Sequence, residues 1–145
     1  MRNLRFAILA LTLSLLSWPF QEVAAQSWRT VTISRQHSGE SDMRVRVRYG
    51  AGRLNIQPAH PGALYRMELR YDEETFEPVA EYEGNRLELG VKSIRNNINW
   101  PRKRDSGEMN LTLARNVPMD LDLEFGAVRA DLDLGGLYLT RLDLS

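Results

Sequence analysis

From Met119 to Leu134 the chain reads MDLDLEFGAVRADLDL. Leu121, Leu123 and Phe125 alternate with Asp120, Asp122 and Glu124, Gly126-Ala127 interrupts, and Leu132 and Leu134 resume the alternation. Strict period two with carboxylates between apolar residues marks a half-buried strand, apolar face inward. Met43–Pro58, MRVRVRYGAGRLNIQP, has the same form. Aligned without a gap, Met43 meets Met119, Val45 and Val47 meet Leu121 and Leu123, and Tyr49 meets Phe125. Gly50-Ala51 then meets Gly126-Ala127, Arg53 meets Arg129 and Ile56 meets Leu132. An internal repeat of this kind predicts stacked strands and says nothing about chemistry.

The same alternation predicts strands at Trp28–Ile33, Leu64–Tyr71, Val79–Glu83, Arg86–Val91 and Ile98–Trp100. Ser34–Asp42 and Pro101–Gly107 read as loops, Pro58–Gly62 as a corner, and Asp72–Glu77 as an acidic connection broken by Phe76. No amphipathic helix is predicted after residue 25. Past Met109 the leucines come in pairs, Leu111/Leu113, Leu121/Leu123, Leu132/Leu134 and Leu142/Leu144. Leu111, Leu121, Leu123, Leu132, Leu134, Leu142 and Leu144 are therefore expected to share one core. Regular turn signals suit an antiparallel β-sandwich. Turns of the form Gly-Ala-Gly, Gly-Ala-Val and Gly-Gly-Leu between strands of similar inward pattern suit a solenoid better. The expected fold is all-β, a single-domain right-handed β-solenoid or β-helix-like stack of short strands, with the antiparallel sandwich as the alternative.

The two copies of the repeat differ in their outward residues. Arg44, Arg46 and Arg48 in the first correspond to Asp120, Asp122 and Glu124 in the second. Side by side, the rows would form cross-strand ion pairs. Several predicted strands intervene, and sequential strands tend to be neighbours, so the favoured expectation is that the copies stand apart. Arg44, Arg46 and Arg48 would then form a free cationic stripe, read first as a solvated strand face and otherwise as suited to an anionic glycan or lipid headgroup layer.

Composition adds the front end. Met1–Arg5 carries two arginines, Phe6–Leu16 is apolar, and Val23-Ala24-Ala25 offers small residues before Gln26. This is the form of a secretory signal peptide, too short for a span of about twenty apolar residues. Residues 1–25 are expected to be a signal peptide helix, cleaved after Ala25, and residues 26–145 a β-rich domain with no stable membrane span. Export to a bacterial periplasm or the extracellular space follows, and the absence of cysteine fits a bacterial envelope. The chain holds 19 basic and 19 acidic residues, without the basic excess of a nucleic-acid binder. Leu139–Ser145 reads as a full strand without a cap. The domain is therefore expected to continue past Ser145 with further turns, or to use this edge for a partner or for self-association.

Site chemistry is sparse. His37 and His60 are the only histidines, and zinc needs three or four convergent ligands, so both are read as surface residues. Asp72, Glu73, Glu74 and Glu77 could hold calcium only without the EF-hand spacing, and are read as a solvated run. No Gly-x-Ser-x-Gly occurs, and Gly50-Ala-Gly-Arg is a strand turn, not a dinucleotide loop. Glycoside hydrolysis needs two carboxylates across a cleft, whereas alternation puts most carboxylates on exposed strand faces. Trp100, Arg102, Lys103 and Arg104 form the most suggestive polar patch, an aromatic beside cations that could meet a sugar ring or an anionic polymer, although Asp105 and Glu108 dilute the field and favour an ordinary charged turn with Trp100 tucked inward. The sequence thus predicts no catalytic, cofactor or metal residues. It offers Arg44, Arg46, Arg48, Trp100, Arg102, Lys103 and Arg104 as ligand contacts. An envelope glycan, an anionic lipid or a protein is the partner class, and a polysaccharide-acting enzyme on a β-helix is the alternative.

Four stretches carry a family likeness: Asn110-Leu-Thr-Leu, Asn116–Ala127, Ala130-Asp-Leu-Asp-Leu-Gly-Gly-Leu and Leu142-Asp-Leu-Ser. With Tyr49-Gly-Ala-Gly-Arg-Leu and Leu69-Arg-Tyr, they resemble the toastrack domain over most of residues 43–145. The resemblance implies a β-helix-like extracytoplasmic domain of bacterial envelope proteins, among them LiaF-like proteins of the cell-wall-active-antibiotic response and adhesin-type relatives. It implies no catalytic residues. LiaF-like members also carry transmembrane helices, for which the short run Phe6–Leu16 is no equivalent.

Overall fold

The computed structural model describes residues 27–94 and 107–145. The expected signal peptide, the Ile98–Trp100 strand and the Trp100–Arg104 patch lie outside the described residues. Eight strands make up the rest: β1 (Trp28–Gln36), β2 (Met43–Pro58), β3 (Ala63–Asp72), β4 (Phe76–Glu83), β5 (Arg86–Ser93), β6 (Glu108–Leu113), β7 (Met119–Leu132) and β8 (Leu139–Leu144). Predicted and observed strands agree except at their ends. β1 runs on past Ile33 to Gln36, and β4 starts early at Phe76 because Asp72 closes a turn ahead of it. The Thr75 amide donates to Asp72 O at 3.1 Å and the Thr75 hydroxyl to its carboxylate at 2.9 Å.

β2 is the axis of the sheet. Its first half, Arg44–Arg48, pairs in parallel with β5, and its second half, Arg53–Pro58, pairs in parallel with β6. Along its other edge β7 runs parallel from Met43↔Met119 to Ile56↔Leu132. The first half of β7 in turn pairs in parallel with β8. β2 changes neighbours at Gly50-Ala51-Gly52, where the strand bends. Gly52 has φ +128, and a Cβ there would collide with the Gly107 carbonyl, so the close approach of backbones requires glycine. The matching corner of β7 is equally tight: a Cβ on Gly126 would lie 2.7 Å from the Gly50 carbonyl oxygen.

The two copies of the repeat therefore lie side by side in the register of the gap-free sequence alignment. This corrects the expectation that they stand apart. The chain between them detours through β3, which pairs antiparallel with β1 and β6, and through the antiparallel pair β4–β5, and returns to the open edge of β2. Matching inward patterns then bring like side chains into rows. Leu87, Val45, Leu121 and Leu142 form one row across β5, β2, β7 and β8, and Leu89, Val47, Leu123 and Leu144 form the next. Beyond the corner, Met67, Leu111, Ile56 and Leu132 form a third. The fold is the expected β-solenoid-like stack at its centre, with the antiparallel pairing of a sandwich at its flanks.

The buried cluster draws on both arms, with Val45, Val47, Leu87, Leu89, Leu121 and Leu123 from one and Leu54, Ile56, Met67, Met109 and Leu111 from the other. Of the seven leucines expected in one core, Leu111, Leu121 and Leu123 are buried, and Leu132 and Leu134 pack against the cluster half-buried. Leu142 and Leu144 are exposed, which corrects that part of the expectation. Their rows end at β8, and no further strand among the described residues covers them.

Candidate functional site

The alternation that buries Val45 and Val47 turns Arg44, Arg46 and Arg48 outward, onto one face shared by β5, β2, β7 and β8. Neighbouring strands lie about 4.8 Å apart, so each arginine sits within reach of the residues on both sides. Arg46 stands between Glu88 and Asp122, Arg44 between Arg86 and Asp120, and Arg48 between Gly90 and Glu124. Arg46 Nε donates to Asp122 Oδ2 at 2.9 Å and lies 3.6 Å from Glu124 Oε1. The hydrogen bond to Asp122 is the main reason the Arg46 guanidinium holds its proton more firmly than a free arginine. Arg48 donates to Glu88 across the β2–β5 boundary. Two of the three arginines thus interlock with carboxylates from both neighbouring strands.

Arg44 is different. Among the described residues neither it nor Arg86 has a carboxylate within ion-pair distance. Asp120, opposite Arg44, accepts a hydrogen bond from the Thr140 hydroxyl at 2.6 Å. Arg44 and Arg86 share a shallow groove of about 360 Å³, whose other charged walls include Arg46, Glu88, Asp120 and Asp122. Like charges directly opposite one another oppose pairing, so the charge pattern works against the fold here, as it does at Arg53↔Arg129, Glu81↔Glu88 and Asp122↔Asp143. Arg86 was hidden in the sequence. The alternation of Leu87 and Leu89 turns it outward, but nothing in the chain says that β5 lies beside β2.

The other sequence candidates are placed as follows. His37 and His60 line one small groove of about 110 Å³ together with Arg115. His37 Nε2 lies 3.4 Å from Glu40 O and 3.7 Å from the Glu40 carboxylate. That carboxylate accepts from the Ser38 amide at 2.7 Å, which is the leading reason its pKa is lowered. The acidic run is engaged locally. Asp72 accepts from Glu74 N and Thr75, Glu73 accepts from Ser27 Oγ at 2.8 Å and Arg29 at 3.2 Å, and Glu77 lies 3.3 Å from Lys92 Nζ. No three His, Cys, Asp or Glu side chains gather for a metal among the described residues. Two arginine–aromatic contacts went unseen in the sequence, Arg35 at 4.4 Å from the Tyr82 ring centre and Arg70 at 4.2 Å from that of Trp28. The first links β1 to β4 and the second links β3 to β1.

This arrangement can bind through charge and shape. No helix among the described residues is long and apolar enough to cross a membrane. A solved structure shares the fold, a "putative cell adhesion protein" from Clostridium sporogenes, at a TM-score of 0.63 and 21% identity. The alignment covers 81% of this chain and 57% of that one, so this chain spans little more than half of its neighbour's length. Comparison with curated proteins finds no match. The model of the family described as the N-terminal domain of toast_rack, DUF2154, matches residues 23–145, and the chain belongs to that family.

Proposed function

We propose that the protein is a non-catalytic domain of the bacterial cell envelope, exported by a signal peptide cleaved after Ala25, that binds an envelope component or a protein partner. The observation that carries this reading is how the charged groups are used. Inward positions are apolar throughout the described core, and the outward arginines and carboxylates of β2, β5 and β7 are largely committed to one another as cross-strand pairs. A hydrolytic site would instead need convergent groups held apart for work on a substrate. Membership of the toast_rack family and the adhesion role ascribed to the clostridial neighbour support a surface-associated role. The contact surface we assign on the described part is the groove at Arg44 and Arg86, with Trp100, Arg102, Lys103 and Arg104 as further contacts.

The test expresses the full chain in a bacterial host, determines the mass of the mature protein, and measures its co-sedimentation with isolated envelope material at low and high salt. The reading expects a mature protein beginning at Gln26 and salt-sensitive co-sedimentation. Arg44→Glu with Arg86→Glu should weaken that binding. Retention of an unprocessed chain in the cytosol, or no envelope binding at any ionic strength, would overturn it.

A further inference from the structure

Like charges face each other across neighbouring strands at Arg44↔Arg86, Arg53↔Arg129, Glu81↔Glu88 and Asp122↔Asp143. In all but the first, an opposite charge relieves the repulsion. Arg53 lies 3.8 Å from Glu108, Glu88 accepts from Arg48, and Asp122 and Asp143 are held by Arg46 and Arg141. Arg44 and Arg86 have no carboxylate within ion-pair distance among the described residues. The register puts them at the centre of a row. Glu83 of β4 stands opposite Arg86, Arg86 opposite Arg44, and Arg44 opposite Asp120 of β7. The signs run minus, plus, plus, minus at steps of about 4.8 Å. Asp120 Oδ1 takes the Thr140 hydroxyl at 2.6 Å, and its other oxygen has no partner among the described residues. Neighbouring positions do not extend the positive charge. In the next row of this face Glu81, Glu88 and Asp122 outnumber Arg46, and ahead of the pair Asp42 accepts from the Asn85 side chain at 2.6 Å. The uncompensated positive charge is therefore a spot rather than a stripe.

We propose that this spot binds a single phosphate monoester carried on a sugar, an inference that rests on the assignment of this groove as the contact surface. A phosphomonoester carries about −1.5 to −2 charge at neutral pH, which matches two guanidinium groups, whereas a carboxylate matches one. Each guanidinium presents a planar fork of N–H donors to the phosphate oxygens. The carboxylates at the two ends of the row, Glu83 and Asp120, only accept hydrogen bonds, so they suit the hydroxyl groups of a sugar and repel a second anion. A continuous polyanion or an anionic bilayer would lay its next charges over Glu81, Glu88 and Asp122, where like charge opposes it. The groove's volume of about 360 Å³ lies at the small end of ligand sites and suits one sugar residue rather than a chain.

An NMR titration of the purified, isotope-labelled protein, followed by the Nε–H signals of its arginines, tests this. The probes are glucose-6-phosphate, inorganic phosphate, glucuronate, glucose and vesicles of phosphatidylglycerol. Glucose-6-phosphate should give saturable shifts centred on Arg44 and Arg86, inorganic phosphate and glucuronate should bind more weakly, and glucose and the vesicles should give none. Arg44→Gln and Arg86→Gln should each weaken glucose-6-phosphate binding about tenfold, since each removes one charge-assisted fork. Arg129→Gln, on the other arm, should leave it unchanged. Circular dichroism verifies that each variant keeps its fold. No saturable shift with glucose-6-phosphate, an equal loss in Arg129→Gln, inorganic phosphate or glucuronate binding as tightly as the sugar phosphate, or shifts produced by the vesicles would each overturn the proposal. Salt-sensitive envelope co-sedimentation by a protein that binds no sugar phosphate would overturn this inference and leave the envelope reading standing. Sugar phosphate binding by a protein that sediments with no envelope material would do the reverse.

Discussion

Leu123 and Asp122 are sequence neighbours with opposite roles. Leu123 is fully buried in the row with Val47 and Leu89, whereas Asp122 meets Arg46 on the solvent face. Leu123→Ala should cost about 2–5 kcal/mol of stability. Asp122→Ala should cost only about 0.2–1 kcal/mol, the range of an exposed ion pair. Urea unfolding of the two variants measures the ratio, and equal losses would contradict the stacked core. Tyr49 makes a subtler case. Its ring is buried, and its hydroxyl has no partner among the described residues, pressed against Gly52 and Gly107 where the corner is tightest. Burial, with Glu108 nearby, pushes the phenol's pKa well up. Removing an unsatisfied buried hydroxyl relieves a desolvation penalty, so Tyr49→Phe should leave Tm unchanged or raise it. The unfolded phenol ionises near about pH 10 while the folded one resists. The unfolded state therefore sheds its proton first, and stability falls as pH rises above that value. Tyr49→Phe should flatten this alkaline loss, which thermal melts between pH 8 and 11 would show.

Among the strands, the charge ladder acts on pairing more than on total stability. Arg46 faces carboxylates on both sides, Glu88 and Asp122, whereas Arg44 faces Arg86 on one. The same chemical change should thus have opposite signs on adjacent strands. Arg46→Glu should lower Tm, and Arg86→Glu should raise it by giving Arg44 an opposite charge. Both effects should shrink in 1 M salt, where the screening length falls to about 3 Å. Equal signs for the two would mean that the register does not set the electrostatics. The ladder was half legible in the sequence. The repeat announces that Arg44, Arg46 and Arg48 correspond to Asp120, Asp122 and Glu124, and matching inward residues are what let the copies stack in register. That they do stack could not be read, because nothing in the 43–58 and 119–132 segments records the detour through β3 to β6 that brings β7 home. Leu142 and Leu144 failed as core residues for a related reason. Alternation tells which way a side chain points, and only the next strand decides whether anything lies there.

Across the whole molecule, β2 carries the cooperative unit. It is the longest described strand and, like the much shorter β6, is bonded along nearly its full length on both edges, by β5 and then β6 on one side and by β7 on the other. Its pairing with β7 joins residues 76 apart in sequence, as in Arg46–Asp122, so β2 cannot be completed until most of the chain has been collected. Stacks dominated by such distant pairings fold in milliseconds to seconds rather than microseconds, because loop closure precedes the contacts that offset it. The same topology grades local stability. Opening a β2 amide requires parting strands on both sides and exposing Val45, Val47, Leu54 and Ile56, which amounts to global unfolding. The rim strands β4 and β8 are each bonded on one side only among the described residues, and β8 buries little of its apolar surface. Hydrogen exchange should therefore show Val45–Arg48 and Leu54–Gln57 exchanging last, at the free energy measured by denaturant. The amides of rim strand β4, bonded only to β5 among the described residues, should exchange earlier, through local fraying. A β2 that opened before β4 would mean that the repeat decorates the fold rather than organising it.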